Sequence, residues 1–564
     1  MSNIKAAKAQ KKRAEKLFKL GKLAESKVAY FECCKLSPND VQAWLSAGQI
    51  SSRLNHFQDS CVAFQRVLSL NPNMTDVYFD LAQAQFSRGQ YIEADQNYRS
   101  FLMMSPSSGE GYHAYAKLLH NTGRISDAIE NYRKAIELIS NNSELNLEFG
   151  SILQRQGLFV EALQQFETAQ NLQPALVDVY YHLANLYRDM RQLDLALLNY
   201  NKAFELAPAD EAIHYYYLGT LSESKGNVVE ALSHYNRSIE LNNGLPEVHL
   251  SKALCLLYSG QFEEGWAEYE WRQKCPDWLR QRRFHSLNTP VWDGGSYPDK
   301  SIVVIAEQGY GDTFQFCRYL TLLADKFSTV IVYCKPEVAN LIQSVDGVDV
   351  VVLTSQEISL ERFDAYVYMM SLPYLFKTTL DNIPNKSPYI HAPKQLKPEL
   401  GECLGGDGLR VGLAWSGSPS NAKNAIRNIP LSSLAALGNI SGIRFFGIQK
   451  GPGSEQASSP PENMDFTDLS HLIDDFSDTA SVISKLDLVI SVDSAVAHLA
   501  GALGIPVWVF VYMPPDWRYL MDRDDSPWYP SMRIFRQDKS RDWKPVIKQV
   551  ENELHTFLST SKEQ

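Results

Sequence analysis

The stretch GQYIEADQNYRSFLMMSP, residues 89–106, sets the reading of the first half of the chain. Its Gly89, Ala94, Tyr98 and Pro106 each recur at a fixed distance. Tyr30, Phe64, Tyr98, Tyr132, Phe166 and Tyr200 step by 34 residues, and the ladder resumes at Tyr235 and Tyr269 after one extra residue. Ala94, Ala128, Ala162, Ala196 and Ala231 lie four before their aromatics, and Gly21, Gly89, Gly123, Gly157, Gly226 and Gly260 lie nine before. Pro38, Pro72, Pro106, Pro174 and Pro208 keep the same period, with Ser140 in the missing place. A small residue four before a large ring puts both on one helix face, where a neighbouring helix can approach closely. Glycine supplies the left-handed turn between two helices, and proline stops the second.

Three ladders in phase predict stacked helix pairs, each needing its neighbours for a core. The pattern resembles the tetratricopeptide (TPR) repeat family over roughly residues 5–275, about eight repeats. Asn55 and Arg191 replace the turn glycine, and Ser26, Ser60 and Gly265 replace the small alanine. The resemblance implies an all-α solenoid with a groove for a protein partner. The ladder residues themselves read as packing, and no ligand is assigned to them.

The chain has 564 residues, 45% hydrophobic and 21% charged, enough for about three or four domains. Lys plus Arg number 54 against 65 Asp plus Glu, a net charge of −11, which gives no electrostatic footprint for nucleic acid. No apolar run approaches a membrane span, and the basic start (Lys5 to Lys16) lacks the apolar core of a secretory signal. The eight cysteines are scattered without a C-x-x-C pair, so a reducing, cytoplasmic setting is expected.

After Tyr269 the periodicity ends. Trp271, Trp278 and Trp292 gather around Pro276, Pro290 and Gly294-Gly295, and residues 273–299 read as an aromatic-packed linker after a 1–272 solenoid. From Ser301 short β-branched runs alternate with helical stretches, predicting parallel sheets flanked by helices. A Pro/Gly-rich segment at 381–408 reads as a hinge between a first lobe at 300–385 and a second at 386–564. The abrupt change after Tyr269 further predicts that the two halves are separable in function, 1–270 folding alone and binding the acceptor and 273–564 binding the donor but glycosylating the acceptor poorly.

Three motifs carry chemistry. Glu307-Gln308-Gly309-Tyr310-Gly311-Asp312 closes the first strand and opens a helix. Gln308, Gly309 and Gly311 let a substrate approach the backbone, and Asp312 is either a helix cap or a general base. The full dinucleotide fingerprint is absent because Phe314 holds the third glycine's place, which disfavours NAD. Asp493-Ser494-x-x-x-His498 follows a strongly apolar strand. Asp493 or Ser494 caps the next helix, whose free N–H groups suit a diphosphate, and His498 lies one turn on. His498 as a core histidine is the alternative. A serine hydrolase is disfavoured because no G-x-S-x-G elbow occurs. The loops Trp415-Ser416-Gly417-Ser418-Pro419 and Gln449-Lys450-Gly451-Pro452-Gly453, with Arg427 between them, suit a nucleotide diphosphate or are ordinary surface loops.

These residues resemble the heptosyltransferase-type (family 9) GT-B glycosyltransferases. The resemblance implies Asp312 as base and Asp493, Ser494 and His498 about the donor phosphates; the two loops and the cation between them add Trp415, Ser416, Gly417, Arg427, Gln449 and Lys450 as candidate donor-binding residues. Pro515-Asp516-Trp517-Arg518 and Ser526-Pro527-Trp528-Tyr529-Pro530 resemble a branch in which this domain follows TPR repeats and glycosylates bacterial proteins, flagellin among them. It further implies a metal-independent reaction with no cofactor, the nucleotide sugar being a co-substrate. Asp474-Asp475 and Asp524-Asp525 read as solvated acids rather than a metal site. The competing expectation is a TPR scaffold with an inactive nucleotide-sugar-binding domain. A lipopolysaccharide-core heptosyltransferase fits less well, since a membrane acceptor gives no reason for eight protein-binding repeats.

Overall fold

The computed structural model describes residues 2–281, 289–356, 362–418, 424–538 and 540–561. Helices in antiparallel pairs run from Ser2–Lys19 to Phe262–Tyr269. The turn glycines all take left-handed φ values, from 73° at Gly89 to 83° at Gly260, and Asn55 (57°) and Arg191 (64°) adopt the same conformation in their place. That is the geometry the turn requires of any occupant.

The packing beneath each ring exposes a ladder the sequence reading passed over. Ala14, Gly48, Ala82, Ala116, Gly150, Ala184, Gly219 and Ala253 lie sixteen residues before the aromatics. A Cβ on Gly48 would stand 2.6 Å from the Phe64 ring, and one on Gly150 2.5 Å from the Phe166 ring. The ring fills the space that a side chain on the first helix would need. Gly150→Val is therefore expected to lower stability by about 1–3 kcal/mol through overpacking. Thermal melting checks this, and an unchanged midpoint would contradict the close approach.

Two parallel sheets follow. In the first, β1 (Tyr297–Ile305), β2 (Phe327–Cys334), β3 (Val350–Leu353) and β4 (Ala365–Tyr368) lie in the order β3-β2-β1-β4. In the second, β5 (Leu409–Ala414), β6 (Ile443–Gly447), β7 (Phe466–Asp468), β8 (Leu488–Val492), β9 (Val507–Val511) and β10 (Met532–Arg536) lie in the order β10-β9-β8-β5-β6-β7. β8 and β9 are buried throughout and β1 over its last four residues, as parallel strands covered on both faces must be. The closing helix Lys544–Ser561 buries Val546, Ile547, Val550 and Leu554 at the expected helical spacing.

Three expectations change. β1 begins at Tyr297, inside the segment read as linker, and Val291 already forms a parallel bridge with Tyr366. Of that linker, 282–288 lies outside the described residues, while Trp292 is buried against Phe327 and Phe376 (ring centroids 5.8 and 5.4 Å). The segment read as a hinge is anchored instead. Tyr389 donates its N–H to the Ala502 carbonyl (3.0 Å) and its hydroxyl to the Phe314 carbonyl (2.9 Å), and Ile390 is fully buried. Finally, the last repeat shares its core with the sheets. Trp266, 1% exposed, meets Trp517 edge-on at 5.1 Å, Phe316 at 6.2 Å and Trp528 at 6.4 Å in one continuous core.

Candidate active site

Strand order reverses on either side of β5 and β8, which pair side by side, and ligands of open parallel sheets bind at such a switch point. Ser416 and Gly417 follow β5, Gln449 and Lys450 follow β6, and Ser494 follows β8. All five line one cavity of about 340 Å³. Ser494 is the N-cap of the helix Ala495–Ala502, with extended φ −152° and ψ 169°, and its Oγ lies 3.0 Å from Ser491 Oγ. Ala495 and Val496 line the cavity too, so the free N–H groups of the helix start border it. Gln449, 5% exposed, shapes the rim: its Oε1 accepts from the N–H groups of Trp415 (3.2 Å) and Ser416 (2.9 Å). Lys450 Nζ donates to the carbonyls of Ser470 (3.1 Å) and Ile473 (2.5 Å), fixing a cation on the wall. Residues 419–423, including Pro419 of the first loop, lie outside the described residues.

A second cavity, of about 630 Å³, is lined by Gln308, Gly309 and Asp312 together with Tyr269, Arg272 and Glu307. Asp312 is the third residue of the helix Tyr310–Phe316, not its N-cap; its Oδ2 accepts from the Gly309 N–H at 2.9 Å. Its Oδ1 accepts from Arg518, whose other N–H groups donate to Asp516 (2.8 Å) and Gln315 (2.6 Å). Gln308 Nε2 donates to the Tyr269 hydroxyl at 3.1 Å. Glu307 Oε1 accepts from Arg272 (2.9 Å), while its Oε2 is buried with no hydrogen-bond partner. Burial raises the Glu307 pKa, against the opposing pull of Arg272.

The remaining expected residues stand behind these walls. Trp415 is 1% exposed and donates its indole N–H to the Gly453 carbonyl (2.9 Å), packing the loop from behind. Arg427 is buried and clamps the Asp493 and Ser418 carbonyls at 3.1 and 3.0 Å. Asp493 accepts from the Tyr519 hydroxyl at 2.7 Å, and burial with Asp516 nearby raises its pKa. Gly311 is a packing glycine, since a Cβ there would meet His498 Cδ2 at 2.9 Å. His498 is the core histidine of the alternative reading: 5% exposed, with Nδ1 3.0 Å from the Tyr529 hydroxyl. Asp474 is not simply solvated but pairs with Lys397 at 2.6 Å, and Asp475 caps a helix through the N–H groups of Ser477 and Asp478.

Burial drives the His498 pKa down from 6.5 to about 3. Between those values the unfolded chain binds a proton that the folded one refuses, so stability falls as pH drops through 6.5 toward 3. His498→Asn is expected to lower the melting temperature at pH 7 and to flatten that slope. Melting curves from pH 7 to pH 4 measure both; an undiminished slope would contradict the buried neutral imidazole.

The sequence reading missed Glu307, Arg272, Arg518, Tyr310 and Glu337, all bordering or bracing the two cavities. Glu307 and Tyr310 lie within the first motif, and Arg518 ends a stretch noted only for its resemblance.

Comparison with known proteins bears on both halves. Residues 41–74, 109–142 and 177–210 match the tetratricopeptide repeat, and residues 442–553 match Glycosyltransferase family 9 (heptosyltransferase). The chain is 26% identical over 348 residues to Protein FlbA of Caulobacter vibrioides, covering 56% of this chain and 57% of that protein's length. Among solved structures, a tetratricopeptide repeat protein from Parabacteroides merdae aligns at 15% identity and TM-score 0.36, covering 45% of this chain and 99% of its own. The C-terminal part of a TPR protein from Cytophaga hutchinsonii aligns at 17% identity and TM-score 0.37, covering 42% and 97%. The chain thus carries tetratricopeptide repeats followed by a C-terminal domain like those of glycosyltransferase family 9.

Proposed function

We propose that the chain is a GT-B, metal-independent glycosyltransferase that moves a sugar from a nucleotide-sugar donor to a protein acceptor recruited by the repeats. Flagellin is the acceptor the sequence resemblance suggests. The observation that carries this reading is the placement of the turn 308–312 between the two cavities. Tyr310 lines the smaller cavity, and Gln308, Gly309 and Asp312 line the larger. A donor seated in the first and an acceptor entering the second would meet at this turn.

Lys450 and the helix start at Ser494 suit a diphosphate, and they take up the negative charge that grows on it as it leaves. Asp312 takes the acceptor hydroxyl's proton as that oxygen bonds to the anomeric carbon and the carbon–diphosphate bond breaks. Charge neutralisation by these groups replaces a divalent cation. The repeat-derived Tyr269 and Arg272 in the acceptor cavity fit a protein acceptor delivered from the solenoid. All eight cysteines are free thiols, in keeping with a cytoplasmic enzyme.

A panel of UDP, GDP, ADP and CDP tests the donor half by calorimetric titration of the full chain. One diphosphate is expected to bind, and Ser494→Ala to weaken it about tenfold to a hundredfold, the worth of a hydrogen bond to a charged phosphate. Equal affinity in the variant would remove Ser494 from the donor site. Failure of every diphosphate to bind would overturn the functional reading.

A further inference from the structure

Asp312 stands on the helix after β1, but the group that grips it comes from the stretch Asp516–Tyr519, after β9. Asp516 caps this turn by accepting the Arg518 backbone N–H at 3.1 Å. The Arg518 guanidinium lies 4.3 Å from the Trp517 ring centroid, and the side chain is 12% exposed. Its donors go to three acceptors: Asp312 Oδ1, Asp516 Oδ1 (2.8 Å) and Gln315 Oε1 (2.6 Å). Gln315 is fully buried and its Nε2 has no hydrogen-bond partner, so the bond to Arg518 is what offsets burial of the amide. Leu520 ends the turn at φ 52°, a left-handed conformation that bulky side chains rarely adopt and that persists only where the surroundings impose it. A planar fork held in this way fixes the direction of the carboxylate it grips, which a flexible ammonium does not. Asp312 Oδ1 accepts from Arg518 and Oδ2 from the Gly309 N–H, and each keeps a second lone pair for an incoming proton. When Asp312 takes that proton, Arg518 still has Asp516 as counter-charge.

Resting on Asp312 as the base of the function proposed above, we propose that Arg518 is its positioning residue. The guanidinium aims the Asp312 carboxylate into the larger cavity, and Gln315 and Asp516 hold the guanidinium. Arg518 lines neither cavity, so it acts on the reaction through Asp312.

The test is a double-mutant cycle on the full chain, read as diphosphate release from UDP-glucose, GDP-mannose and ADP-glucose. Displacing a reacting group by about 1 Å costs about 10²-fold in rate. Arg518→Lys, which keeps the charge and loses the fork, is therefore expected to lower kcat about 10²-fold with the donor KM within about twofold. The deciding comparison is made in Asp312→Asn. An arginine that works by aiming that carboxylate has nothing left to aim, so adding Arg518→Lys should cost less than about twofold more. Gln315→Met removes one brace, leaves both carboxylates on Arg518 and keeps the volume of the side chain, so the variant should melt close to the wild type. It should show the same dependence on Asp312 with a smaller loss, about fivefold, the worth of one hydrogen bond. Turnover of Arg518→Lys and Gln315→Met equal to the wild type's, or losses that are the same with and without the Asp312 carboxylate, would overturn the proposal. Wild-type turnover in Asp312→Asn itself, or no release from any of the three nucleotide sugars, would instead overturn the reading on which it rests.

Discussion

Asp312→Asn is expected to reduce transfer about 10²–10⁴-fold, the range for loss of a positioned general base. Asparagine keeps the size of the side chain and an oxygen that can still accept from the Gly309 N–H, so the turn 308–312 should survive. The carboxylate is what goes, and with it the charge opposite Arg518. Arg518 keeps Asp516 and Gln315 as partners, which limits the loss of stability. The variant should therefore bind the donor diphosphate as the wild type does and fail at the proton step. A purely structural Asp312 predicts the reverse, a lowered melting temperature with turnover intact. Turnover and melting on one preparation separate the two outcomes. Near wild-type turnover would return Asp312 to a bracing role and leave the general base to another residue.

Trp266→Ala is expected to destabilise the sheet-bearing part by about 3–5 kcal/mol, the range for emptying a buried aromatic site. Trp266 belongs by sequence to the last repeat, yet its ring packs on Trp517, Phe316 and Trp528. Arg272, from the segment just after it, is 3% exposed and bonds Glu307 and Ser371 at 2.9 and 2.8 Å. Cutting the chain between 272 and 273 would expose the aromatic faces of this core and strand the Glu307 carboxylate, which the structure buries beside Arg272. A fragment of 273–564 should accordingly aggregate or melt far below the full chain. A well-folded fragment with the full chain's melting temperature would contradict the shared core.

The repeats were legible because their determinants are local. An alanine four before an aromatic, or a glycine nine before it, acts within one helix pair, so the spacing carries the geometry. The small residues sixteen before each ring were equally present in the sequence; their reason shows only when Phe64 is seen against Gly48. Strands with long apolar runs such as Leu488–Val492 were readable, whereas β7, three residues long, and β10, which carries Arg533 and Arg536, gave little pattern. The site divides along the same line. Ser494 at a helix start follows from its neighbours in sequence. The Arg518–Asp312 pair, 206 residues apart, depends on two sheets meeting, and no local pattern announces it. Gly311 and His498 were both singled out for ligands because each looks functional alone. In three dimensions they face each other, a glycine making room for a buried imidazole.

On the proposed function, the 340 Å³ cavity holds the diphosphate of a nucleotide sugar that the chain cleaves by transfer. Its most direct test is diphosphate release from a panel of nucleotide sugars by the full chain, measured side by side with Lys450→Ala. Release is expected from at least one nucleotide sugar, reduced at least about tenfold in the variant, the effect of losing a charged contact to phosphate. No release from any nucleotide sugar, or release that Lys450→Ala leaves unchanged, would contradict it.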